Sequence, residues 1–181
     1  REMAYGMDCT YSENLLGLRI NNDLANDYGN LLSRTTGMIQ KFQQGIVLPP
    51  TGETEFDAEL IALAKATPQR FADLMDRMEW ANALAELWKL VGKANKYIDD
   101  TAPWALNKAG EKDKLATVLY NMMEVIRLVT IMVSPVMPGL MPRVWQQLGI
   151  NGREDLSTWE SLTWGTFPAG VKIERGEPLF P

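Results

Sequence analysis

The stretch KYIDDTAPWALNK, residues 96–108, decides how this sequence is read. It follows a helical pattern that starts near Trp80 and carries Leu84, Leu87, Trp88, Val91, Ala94 and Ile98 inward. Pro103 halts that helix, because proline has no N–H and restricts the residue before it. Trp104 therefore stands at a helix break, where a tryptophan is either a buried plug or a presented stacking face. Pattern alone leaves both readings open.

Upstream, Ser12 is suited to cap a helix opening at Glu13, with Leu15, Leu18, Leu24, Leu31, Met38, Ile39 and Phe42 recurring at helical spacing to about Gln43. The spacing predicts one long helix or two stacked end to end. Gly29 and Gly37 inside it call for close packing or a bend. On its other side Asn26, Asn30, Arg34 and Lys41, four, four and seven residues apart, share one stripe. Such a stripe is either a solvated face or, with an Asn and an Arg one turn apart, a set of donors and acceptors suited to a base edge. After a Gly- and Pro-containing loop (residues 44–55), helical pattern resumes near Phe56, with Thr67-Pro68 predicting a kink or a new first turn.

Downstream, Leu115, Val118, Leu119, Met122, Val125, Ile126, Val129 and Met132 recur at three and four and mark the central core helix. Pro135 and Pro138 end it, and a further helix runs to Leu148 with Gly149 as its stop. The remainder, STWESLTWGTFPAGVKIERGEPLFP, has no helical period; Trp159, Trp164 and Phe167 predict that it docks along the bundle rather than hanging free. The architecture expected is all-α: an antiparallel bundle of about five helices (residues 12–150) with an extended aromatic tail (151–181), preceded by a short non-bundle segment (1–11).

Composition excludes several chemistries. The sequence has no histidine and one cysteine, Cys9, so Cys/His zinc sites, His-dependent triads and di-iron Glu-x-x-His bundles are ruled out, and a reducing cytoplasm suits the chain. No uncharged apolar run approaches the roughly 18 residues of a membrane span. A net charge of −5 argues against unspecific binding to DNA or RNA backbones, but not against reading a few unpaired bases. A binding module, a protein-interaction scaffold and one domain of a larger enzyme fit this pattern equally well.

Four segments carry a resemblance: NDLANDYGNLLSRTTGMIQKF (22–42), ANKYIDDTAPWALNK (94–108), LATVLYNMMEVIRLVTIMVSPVMP (115–138) and WGTFPAGVKIERGEPLFP (164–181). In this order they resemble the anticodon-binding domain of bacterial methionyl-tRNA synthetases, a class I synthetase family, across essentially the whole chain. The opening REMAYGMDCTYSE resembles the end of that enzyme's catalytic unit. The resemblance implies a fragment: the family's HIGH and KMSKS signatures are absent, so methionine attachment with ATP and magnesium belongs to the parent enzyme, with no catalytic residue and no metal site expected here. It implies methionine tRNA, through its CAU anticodon loop, and the catalytic domain of the same parent as partners, and no membrane. It further implies that Trp104 is the stacking face for the first anticodon base, that Pro103 holds it, and that Asn30 and Arg34 read base edges; Lys41 lies on the same stripe and matches less closely. The Pro103-Trp104 break together with Asn30 and Arg34 separates this family from the related helical domains of leucine, valine or isoleucine synthetases.

Overall fold

The computed structural model describes residues 5–8 and 10–180. Cys9, residues 1–4 and Pro181 lie outside the described residues, and with them five of the thirteen residues of the segment likened to the end of a catalytic unit.

One unbroken helical rod opens the bundle. It comprises α1 (Glu13–Arg19), a ten-residue π-helical stretch (Ile20–Gly29) and α2 (Asn30–Gln43). Ser12 caps it, its hydroxyl accepting from Leu15 N at 3.3 Å. The π geometry is rare at this length, because i→i+5 pairing displaces carbonyls from their usual partners. Two side chains of the neighbouring helix supply donors to such carbonyls: Trp88 Nε1 to Asp23 O and Asn95 Nδ2 to Asp27 O, each at 3.1 Å. The apolar pattern of α1 is not core. Leu15 and Leu18 are exposed, and no residue of α1 is fully buried. The buried anchors of the rod are Tyr28, Leu31, Leu32 and Ile39.

Next come α3 (Asp57–Asp76) and α4 (Trp80–Thr101), packed on each other across a three-residue turn. Pro68 does not start a new helix; α3 runs through it, and the Thr67 hydroxyl donates to Leu63 O one turn back at 2.7 Å. After the short α5 (Pro103–Ala109), α6 (Lys112–Val133) forms the centre, with every residue from Leu115 to Val133 buried. By length and a mean hydropathy of 1.5, α6 could cross a membrane, yet the apolar window lies wholly inside the bundle. It is a core helix.

A turn of 3₁₀-helix (Pro138–Leu140) leads into α7 (Met141–Leu148), which Gly149 ends at φ 72°. A Cβ at Gly149 would collide with Lys172 O, so the crossing of the chain's last segment requires glycine there. That segment, which follows the four-residue α8 (Glu154–Ser157), is tied to the loop after α2: Val47 N donates to Val171 O, Gly170 N to Val47 O and Ile173 N to Gly45 O, at 2.8–2.9 Å. Phe167, Ile173 and Leu179 are its buried anchors. Of the tryptophans expected to dock it, Trp164 is partly buried and Trp159 is 44% exposed, so aliphatic side chains and backbone hydrogen bonds hold the segment as much as aromatic rings do.

A buried ion pair, missed in the sequence pattern, fixes the same region. Arg127 and Glu124, both fully buried on α6, pair at 2.8 Å. The Arg127 guanidinium also donates to the carbonyls of Leu156, Ser161 and Thr163, and Glu124 Oε1 accepts from Phe167 N at 2.7 Å. Two charges on the inward side of an otherwise apolar helix were the signal that could have revealed it.

Candidate nucleic-acid interface

The end of α4 determines how Trp104 is presented. Thr101 is the last helical residue, and Ala102 turns left-handed at φ 42°, ψ 67°, while its N–H still donates to Ile98 O at 3.0 Å. For a residue with a Cβ this conformation is strained by about 1–3 kcal/mol. Pro103 then occupies the first position of α5, where its missing N–H costs nothing and its fixed φ is already helical. Pro103 is buried and Trp104 is 50% exposed. The proline is thus the plug of this corner, and the indole beside it keeps half its surface open.

Arg34 sits on α2, facing the last turn of α4. Its guanidinium donates to Asp99 Oδ1 at 2.8 Å, five residues before Trp104. This contact ties the polar stripe of α2 to the helix end that carries the tryptophan. Asp99 takes one donor of the fork; Arg34 remains 31% exposed, and no other partner is bonded to it among the described residues.

Asn30, the first residue of α2, is exposed one turn before Arg34. Its carboxamide makes no hydrogen bond within the described residues. Lys41 is exposed near the end of α2 and leans 5.6 Å from the ring centroid of its neighbour Phe42. Gly37 lies between Arg34 and Lys41 on this stripe, and a Cβ there would meet nothing within 4 Å. Of the two glycines expected to mark close packing or a bend, Gly29 is closely packed and Gly37 is not. Asn26 belongs to the π-helical stretch, so its four-residue spacing from Asn30 is not α-helical register, although both line one cleft.

The corner therefore offers one flat aromatic face, a guanidinium held in position, an uncommitted carboxamide and an outlying ammonium. Such a set can stack a planar ring and exchange hydrogen bonds with its edge. It contains no nucleophile paired with a base.

Residues 48–181 match the family model described as the anticodon binding domain of methionyl tRNA ligase. Over its full length the chain is 48% identical to a methionine–tRNA ligase of Caldanaerobacter subterraneus and 42% identical to that of Clostridium tetani, spanning 28% of each. The fold superposes on the free methionyl-tRNA synthetase of Mycobacterium tuberculosis with a TM-score of 0.92 at 31% identity, covering all of this chain and 37% of that one. The same enzyme bound to methionyl-adenylate gives 0.91. The chain thus spans under a third of the curated relatives it matches, and it belongs to the family of anticodon-binding domains of methionyl-tRNA ligases.

Proposed function

We propose that this chain recognises the CAU anticodon loop of methionine tRNA on behalf of a full-length, cytoplasmic methionine–tRNA ligase. Trp104 stacks the first anticodon base with Pro103 as its support, Asn30 and Arg34 read base edges, and Lys41 adds a peripheral contact to the backbone. The observation that carries this reading is the half-exposed indole of Trp104 on a buried proline, in the same corner as the Arg34–Asp99 pair. Unpaired bases in a loop present flat faces and hydrogen-bonding edges, and these side chains match both.

The ligation itself, which joins methionine to tRNA with ATP and magnesium, belongs to the rest of the parent chain. In the parent, the catalytic domain is the partner that this bundle serves.

Fluorescence anisotropy with a labelled anticodon stem-loop tests the reading. The chain should bind a CAU hairpin more tightly than one of equal length whose three anticodon bases are replaced. Its affinity should fall only gently with salt, since an acidic chain neutralises few phosphates. Equal affinity for both hairpins would refute it, as would ATP–pyrophosphate exchange dependent on methionine by the isolated chain.

A further inference from the structure

The last described residues build a wall. Pro178, Leu179 and Phe180 face Asn26, Asn30 and Ser33 across a cleft of about 230 Å³. This wall is held from α7: Arg143 donates to the carbonyls of Pro178 and Leu179, both at 2.8 Å, and Gln147 Nε2 donates to Glu177 O at 3.1 Å. Leu179 is buried beneath it. Gly29 lets the wall approach, because a Cβ there would stand 3.2 Å from Phe180 Cδ2 and 3.1 Å from Leu24 O.

The chemistry of the cleft is specific in kind. The side chains of Asn26, Asn30 and Ser33 make no hydrogen bond among the described residues, and no charged side chain lines the cleft. A phosphate would find no cation there, and an aliphatic ligand would leave the two amides and the hydroxyl without partners. A planar heterocycle with a hydrogen-bonding edge satisfies both walls: the edge meets the polar groups of the rod, and a face or side of the ring meets Phe180.

We infer that Phe180, clamped through Arg143, is a second aromatic surface of this interface and closes one unpaired nucleobase against Asn30. The inference rests on the anticodon reading above and extends it: Trp104 and Phe180 handle different bases, and the final segment is part of the binding site as well as a strap on the bundle.

The test uses Phe180→Leu and Phe180→Tyr in the whole chain, at a temperature where circular dichroism shows parent and variants folded. The probes are a CAU hairpin and three hairpins that are each abasic at one anticodon position. Leucine keeps apolar volume but has no flat face, so Phe180→Leu should bind the CAU hairpin at least about fivefold more weakly, and Phe180→Tyr should bind as the parent does. The leucine penalty should vanish with one of the abasic hairpins, and with a different one from that which abolishes the Trp104→Ala penalty. Parent-like binding by Phe180→Leu, or an equal penalty on all four hairpins, would overturn the inference. If Trp104→Ala and Asn30→Ala also bind as the parent does, the anticodon reading itself has failed, a result distinct from failure at Phe180 alone.

Discussion

The guanidinium of Arg34 on α2 lies 2.8 Å from the carboxylate of Asp99 on α4, joining two helices at the corner where Trp104 emerges. Asp99 is 63% exposed, and an exposed pair of this kind adds at most about 1 kcal/mol to stability. Its consequence is for binding. Asp99 both orients the fork and offsets its charge, so Asp99→Asn should leave the melting temperature nearly unchanged, strengthen binding to hairpins of any sequence and steepen the salt dependence by about one phosphate equivalent. An anisotropy titration across salt concentrations checks this; an unchanged slope would show that the pair does not bear on RNA.

Arg34→Lys keeps the charge but removes the planar fork. Selectivity for CAU over substituted hairpins should fall by about 1–3 kcal/mol, while affinity for the substituted hairpins stays close to the parent's. Competition anisotropy with the two hairpins reads both quantities.

The buried pair on α6 gives the largest expected loss of stability. Arg127→Met leaves Glu124 without its cation and releases the carbonyls of Leu156, Ser161 and Thr163. Removing one partner of a buried pair costs about 3–5 kcal/mol, or roughly 10 °C in melting temperature for a chain of this size. Calorimetry checks the shift, and protease cleavage after residue 155 should appear in the variant first.

Much of this fold was legible because helical periodicity survives wherever a helix is buried on one face. The patterns from Trp80 and from Leu115 both mark real core helices, and Pro103 and Gly149 end helices for the reasons their chemistry supplies. Periodicity failed at α1, where Leu15 and Leu18 follow the helical repeat yet stay exposed, since spacing reports a face and not what covers it. It also failed at residues 20–29: no local composition announces a π-helix whose carbonyls are satisfied by Trp88 and Asn95, more than 60 positions away. At the candidate site, the residue types and the Pro103-Trp104 break were readable. Asp99 as the partner of Arg34 and Phe180 against Gly29 were not, because both contacts form only after distant segments pack.

Three buried hydroxyls set the alkaline limit. Burial pushes the phenols of Tyr28, Tyr97 and Tyr120 above their ordinary value near 10, that of Tyr120 to about 12. A phenol whose pKa is raised in the fold binds more protons folded than unfolded once the pH passes 10, so its contribution to stability is complete below that pH and is lost as the pH rises through the folded value. Denaturant midpoints should therefore fall steadily above pH 10. Absorbance at 295 nm should show these three tyrosines ionising together with loss of the helical circular-dichroism signal.

Trp104→Ala, measured for hairpin binding and for melting side by side, separates a stacking face from a buried plug. Because the indole is half exposed on a proline that fills the corner, its removal should cost roughly 1–3 kcal/mol in binding to the CAU hairpin while the melting temperature moves by no more than a few degrees. Phe at this position should recover part of the binding. A variant that melts far below the parent, yet binds the hairpin as tightly per folded molecule, would make Trp104 a structural residue and not an anticodon platform.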